Sequence, residues 1–134
     1  MAELFSDAWM KSYKEEWNNE PELSGKLAEI NFNSNIAYGF LGEDKHRGIL
    51  VVEEGKASDA RPYNDDDELN WDLRASEENW NKWIEKGLGM ASLGAAYVSG
   101  KLKFKTGDYK AMIKDPRMAG PFVKSFTVMG RIPD

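Results

Sequence analysis

One stretch decides the fold class of this 134-residue chain: Gly100-Lys-Leu-Lys-Phe-Lys-Thr-Gly-Asp-Tyr-Lys-Ala-Met-Ile-Lys-Asp-Pro116. Lysines alternate with apolar residues at its start, and a period of two predicts a strand with one wet face and one buried face. Thr106-Gly107 then marks a turn, and Asp108 is a good N-cap for a helix that carries Met112. Asp115-Pro116 starts a final helix in the same way. The stretch therefore predicts a sheet edge covered by apolar helices, an arrangement that can enclose an apolar molecule.

Upstream of this stretch, the sequence predicts one helix followed by strands. Near the N-terminus an aromatic residue recurs every four positions, which indicates one face of a helix over residues 6–18: Phe5, Trp9, Tyr13 and Trp17. Packing on a sheet explains this stripe, and a pocket cover or an oligomer contact is the alternative. Alternating or continuous apolar residues predict strands at residues 29–40, 48–54 and 69–74, whereas residues 57–67 are expected to form a loop.

Helices dominate the second half of the chain. Ser76 is the expected N-cap of a helix with Trp80 and Trp83 on its apolar face, and residues 90–98 predict another helix that ends at Gly100. Strands and helices in separate blocks are typical of the α+β class (α/β in some schemes). They indicate a mostly antiparallel sheet covered on one face by helices. The length fits a single domain over residues 1–134.

Composition and charge argue against several function classes. A net charge of −5 argues against a nucleic-acid partner and leaves at most transient membrane contact. No apolar run reaches the ~20 residues that a membrane-spanning helix needs. A single basic stripe, Lys101, Lys103 and Lys105, is typical of a solvated strand edge, with an anionic surface or partner as the alternative. The first residues lack the basic segment of a signal peptide, so a cytoplasmic location is expected.

No pattern of catalytic or metal-binding residues stands out. The chain has no cysteine and one histidine, His46, whereas imidazole-based metal sites need at least two such ligands. His46 is expected at the surface. The acidic run at residues 65–68 is expected to be a solvated turn, because it lacks the spacing of a calcium loop. The sequence therefore predicts no metal, no cofactor and no catalytic residue. A small enzyme that acts through Asp72 or His46 remains an alternative.

Large and soft apolar side chains are abundant, with five Trp, six Phe, five Tyr and six Met. Methionine fills irregular space and adapts to varied ligands. Pockets lined in this way bind hydrophobic molecules by burying apolar surface. A fully packed core would use the same residues, so composition alone leaves both interpretations open.

The order of elements and the C-terminal motif resemble the sterol carrier protein 2 (SCP-2) family. The helix with Trp80 and Trp83 carries this resemblance together with the segment from Tyr97 to Met112, where a Gly-Lys-Leu strand, a Gly-Asp turn and a Met-rich helix follow one another. The resemblance covers residues 71–129, and upstream only the pattern matches. It implies a five-stranded sheet covered by helices, with an apolar tunnel under the C-terminal helices. It also implies non-catalytic binding of a fatty acid, an acyl-CoA, a sterol or another lipid.

Helical phase and position predict which side chains line this pocket. They are Trp71, Trp83, Met90, Leu93, Tyr97, Phe104, Met112, Phe122, Phe126 and Met129. The expected partner is a hydrophobic small molecule, and replacing Phe126 with Trp or Arg should block the cavity while the fold survives. The alternative function is an accessory subunit or protein-interaction module, in which the aromatic face of the first helix docks on an enzyme of hydrophobic-substrate metabolism. A homodimer is left open.

Overall fold

A five-stranded mixed sheet forms the centre of the computed structural model, which describes residues 3–63 and 68–132. The strands are β1 (Ser34–Phe40), β2 (Gly48–Glu53), β3 (Lys56–Pro62), β4 (Trp71–Ala75) and β5 (Lys103–Thr106). The helices of the described residues are α1 (Asp7–Asn18), α2 (Lys26–Glu29), α3 (Glu77–Lys86), α4 (Met90–Val98), α5 (Tyr109–Lys114) and α6 (Pro116–Met129). A short π-helical turn, Pro21–Gly25, joins α1 to α2.

The strand order is β3-β2-β1-β4-β5. Strand β1 pairs with β4 in parallel, and the pairs β1–β2, β2–β3 and β4–β5 are antiparallel. The predicted α+β class, with a mostly antiparallel sheet, is therefore confirmed. The five strands implied by the resemblance are also present.

A capping side chain begins four of the described helices, and three of these caps, Ser76, Asp108 and Asp115, were predicted. Ser6 and Ser76 accept hydrogen bonds from backbone N–H groups three residues further on, at 3.3 and 3.1 Å, and Asp108 does the same at 3.1 Å. Asp115 accepts from the backbone N–H of Arg117, and proline occupies the first position of α6. These side chains satisfy N–H groups that have no partner within the helix, which fixes where each helix begins.

Two predicted boundaries are wrong. Strand β1 begins at Ser34 rather than near residue 29, because residues 26–29 form α2 and Asn31 turns the chain with a φ of 51°. Residues 57–62, expected as part of a loop, belong instead to β3, which pairs with β2. The expected acidic turn at residues 65–68 lies outside the described residues except for Glu68.

The core lies between α1, α6 and one face of the sheet. The aromatic face of α1 is almost fully buried there, and the Phe5 ring stacks on Tyr38 at 5.5 Å between centroids. The Trp80 indole of α3 is also buried and donates to the carbonyl of Gly39 at 2.8 Å. The aromatic stripe therefore packs on the sheet as predicted, and it is not available as an exposed docking face.

The opposite face of the sheet carries a buried ion pair. Arg74 donates to both carboxylate oxygens of Asp72, from Nε at 2.6 Å and from Nη2 at 3.1 Å. It also donates to the carbonyl of Glu43 at 2.7 Å, which ties the β1–β2 loop over this face. His46 lies in that loop with 6% exposure, against the Tyr63 ring, so the expectation of a surface histidine is wrong.

Candidate functional site

An apolar cavity lies between the sheet and α6. Its walls are Trp17, Leu23, Leu27, Phe32, Ile36, Tyr38, Trp71, Leu73, Met118, Pro121, Phe122 and Ser125. The cavity volume is ≈ 40 Å³. A cavity that holds benzene is roughly 150 Å³. Side chains therefore fill most of this space in the conformation seen here.

The parallel pairing of β1 and β4 builds the floor of the cavity. Ile36 lies beside Trp71 and Tyr38 lies beside Leu73, so two residues from each strand point to the same face. Trp71 is held from the side by the β5–α5 turn. A Cβ atom at Gly107, where φ is +111°, would lie 2.3 Å from Cε3 of the Trp71 ring. The Gly-Asp turn therefore positions one wall of the cavity.

One face of α6 forms the roof. Met118, Pro121, Phe122 and Ser125 follow a helical spacing and turn toward the sheet. Pro121 lacks the N–H that would bond to the carbonyl of Arg117, and Gly120 precedes it. The roof helix is therefore weakest at the point where it crosses the cavity.

Hydroxyl groups are the main polar feature of the cavity. The hydroxyls of Tyr13 and Tyr38 are 3.1 Å apart, and Ser125 donates to the carbonyl of Phe122 at 2.5 Å. The Ser125 hydroxyl also lies close to that of Tyr13. Burial raises the pKa of both tyrosines above their usual range. The nearby indole N–H of Trp17 is engaged with the carbonyl of Gly55 at 2.9 Å.

A surface groove borders the outer side of α6 and meets the cavity at Pro121. Its residues come from the π-helical turn, α2 and α6: Glu22, Lys26, Glu29, Ile30, Pro116, Arg117, Gly120, Pro121 and Lys124. Charged side chains of both signs surround this groove. Beyond its edge, Glu20 accepts from the backbone N–H of Glu22 and pairs with Arg131 at 2.8 Å, and these contacts lower the pKa of its carboxyl.

Of the ten residues predicted to line a pocket, Trp71 and Phe122 line this cavity. Phe126 is fully buried and packs on Trp80 at 6.0 Å and on Trp83 at 6.2 Å between ring centroids. The remaining core members of the predicted set are Trp83, Leu93, Met112 and Met129. Tyr97 and Phe104 belong to a ring cluster around Tyr109, and Met90 is 48% exposed.

The sequence reasoning missed most of the cavity walls. Leu23 and Leu27 come from the segment after α1, and Ile36 and Tyr38 come from β1. The alternation along β1 placed the latter two on the core face, but only the fold brings them opposite α6. Ser125 carried no signal of its own.

Within residues 3–63 and 68–132, no three His, Cys, Asp or Glu side chains lie together in a way that could hold a metal ion. In the same part of the chain, no helix has the length and apolar character needed to cross a membrane.

The architecture is that of the sterol carrier proteins. A crystal structure of sterol carrier protein 2 superposes with a TM-score of 0.75 at 19% identity, covering 98% of this chain and 100% of the other. The solution structure of a conserved hypothetical protein from Thermus thermophilus superposes with a TM-score of 0.66 at 19% identity, covering 98% of this chain and 93% of the other. The ubiquinone synthesis protein UbiJ-SCP2 superposes with a TM-score of 0.55 at 15% identity, covering 96% of this chain and 90% of the other.

Neither a protein-family model nor a curated protein matches the sequence. At these low identities the structural similarity establishes the fold alone. The chain therefore has the sterol carrier protein 2 fold, as the motif in its last third predicted.

Proposed function

We propose that this protein binds an apolar molecule, such as a fatty acid, an acyl-CoA, a sterol or a similar lipid, between its sheet and α6, and that it carries the molecule without transforming it. The observation that carries the proposal is the cavity on the inner side of α6, whose walls are apolar apart from a few hydroxyl and indole groups. Its position, on a fold shared with sterol carrier protein 2, supports the same interpretation.

Binding a molecule as large as a lipid requires α6 to move. Pockets for ligands of drug size have volumes of about 300–1,000 Å³, whereas the cavity measures ≈ 40 Å³. The first half of α6 is suited to this movement, since Pro121 removes one of its backbone hydrogen bonds and the surface groove lies directly outside. Outward displacement of Met118 and Phe122 would join cavity and groove into a tunnel.

The placement of the ionisable residues supports a non-catalytic role. The cavity wall contains no Asp, Glu, His, Lys or Arg among the described residues. Asp72 is held by Arg74, and His46 lies beside the same arginine, on the side of the sheet away from the cavity. Neither residue of the enzymatic alternative can therefore reach a molecule bound under α6.

Competition with a fluorescent fatty acid tests the proposal. The wild-type protein should bind the probe, and unlabelled lipids should displace it at one site. Replacing Ser125 with Leu fills the cavity and should weaken binding at least tenfold. Overpacking of this kind costs about 1–3 kcal/mol of stability, so the fold should survive. The matched control is Ser92→Leu on the exposed side of α4, which should leave binding unchanged. Equal affinity of both variants would contradict the proposal.

A second candidate is an accessory subunit that holds no lipid, and the nearly filled cavity is the observation that favours it. The buried aromatic face of α1 is not the docking surface in this case. The UbiJ-SCP2 neighbour is described as a ubiquinone synthesis protein, which is compatible with a role beside an enzyme of hydrophobic-substrate metabolism. Affinity purification from the native host distinguishes the two: a stoichiometric protein partner and no lipid would support the accessory role.

A further inference from the structure

We propose that the buried hydroxyl of Tyr38, which ends a chain of three hydroxyls with Tyr13 and Ser125, recognises one uncharged oxygen atom of the ligand, such as that of an alcohol or a ketone. The inference rests on the proposed function and specifies its ligand class. The three residues are 0%, 2% and 2% exposed. They meet where the floor of the cavity, in β1, faces α1 and α6.

The protons of this hydroxyl chain can be assigned. Ser125 donates its proton to the carbonyl of Phe122. If Tyr38 donates to Tyr13 and Tyr13 donates to Ser125, each proton has an acceptor within the protein. The Tyr38 oxygen then retains a lone pair. Since Tyr38 lines the cavity and the other tyrosine does not, that lone pair is available to a ligand hydroxyl.

The direction of the chain can also reverse. Either tyrosine can be the donor across the 3.1 Å contact. When Tyr13 donates to Tyr38, the hydroxyl proton of Tyr38 no longer points to an acceptor within the protein. A ligand carbonyl in the cavity can then accept a hydrogen bond from it. Because a buried hydroxyl without a partner is costly, this reversed state forms only when a ligand supplies the acceptor. Tyr38 can therefore accept from an alcohol and donate to a ketone.

Charge decides which oxygen fits. No ionisable side chain other than Tyr38 lines the described cavity wall, and burial keeps both tyrosines neutral by raising their pKa. A carboxylate or phosphate placed here would lose its hydration without gaining a counter-ion, which is a large cost. An ionised head group would have to remain at the surface, with only its apolar chain inside.

A matched set of C12 molecules tests the inference: dodecanol, a dodecanone, dodecane and dodecanoate, each competing for a fluorescent fatty-acid probe at mildly alkaline pH. For the wild-type protein we expect dodecanol and the dodecanone to bind about three- to tenfold more tightly than dodecane, the gain of one buried hydrogen bond. Tyr38→Phe should abolish this preference and leave dodecane affinity unchanged.

Two control variants isolate the role of Tyr38. Tyr97→Phe removes the same atom outside the cavity and should keep the preference. Tyr13→Phe retains the hydroxyl of Tyr38, so this variant should also keep the preference for dodecanol and the dodecanone over dodecane. Equal binding of dodecanol and dodecane by the wild-type protein would overturn the inference, and so would a result in which dodecanoate binds most tightly. A preference that survives in a folded Tyr38→Phe variant would overturn it as well. If that variant does not fold, the wild-type order of affinities decides. Failure of all four molecules to bind would instead refute the proposed function.

Discussion

Phe122 and Phe126 are neighbours on α6 with different surroundings, and truncating each one tests the boundary between core and cavity. Phe126 is fully buried, with aromatic rings at 5.5, 6.0 and 6.2 Å on three sides. Replacing a buried Phe with Ala costs about 3–5 kcal/mol through lost burial and an enclosed void. For a domain of this size, that loss corresponds to a melting temperature roughly 10–20 °C lower.

Phe122 is partly exposed and already borders the cavity. Its truncation should cost only about 1–3 kcal/mol, because less surface is lost and the site was not fully packed. The enlarged cavity should also admit ligands more easily, so Phe122→Ala should bind a lipid probe more tightly than the wild-type protein. Phe126→Ala should bind with unchanged affinity once folded.

Thermal melts by circular dichroism, followed by probe titration, give both quantities. A Phe126→Ala variant that loses less than about 1 kcal/mol would show that Phe126 borders open space. In that case the cavity would extend further under α6 than the structure shows, and the reasoning would fail. The same packing means that Phe126→Arg should unfold the protein by burying an unpaired charge, so it is not the cavity-blocking variant that the sequence suggested.

Three further predictions concern stability. Gly107→Ala should lower the melting temperature more than Gly42→Ala, since both positions have positive φ but only the former has a side chain within 4 Å of the new Cβ; equal losses would contradict the steric argument. Asp72→Asn should cost about 3–5 kcal/mol in denaturant unfolding, because it leaves Arg74 charged and buried, and a loss below about 1 kcal/mol would refute this account. The pKa of Glu20 lies below its ordinary value of 4.5, so its stabilising effect is complete above that pH and is lost as the pH falls through the lower folded-state pKa. Glu20→Gln should therefore lose less stability than the wild-type protein between neutral and strongly acidic pH. Parallel curves of unfolding free energy against pH for the two proteins would contradict this role of the Glu20 carboxylate.

Local signals in the sequence predicted much of the fold. Capping residues such as Ser76 and Asp108 fixed helix starts, and the four-residue aromatic period identified the buried face of α1. These features depend on neighbours within one or two turns, so they can be recognised without knowing the fold. Strand β3 was missed because its buried positions are alanines between charged residues, and a register shift at Val51/Val52 breaks the alternation expected of a strand.

The cavity was harder to predict because it is a long-range feature. Helical phase placed Phe122 and Phe126 near one face of α6, but a difference of four residues is enough to put one ring at the cavity and the other among the rings of α3. The contribution of Tyr38 depends on the parallel pairing of β1 with β4 and on the approach of α1 and α6 to the same point. No local pattern in the sequence encodes that meeting.

Native mass spectrometry of the purified protein, before and after incubation with a lipid panel and with solvent extraction of any bound molecule, tests the central claim most directly. The account predicts a one-to-one adduct with an apolar molecule, lost in Ser125→Leu and retained in Ser92→Leu. A protein that keeps its apo mass with every lipid would contradict it, and would favour an accessory subunit whose cavity stays closed.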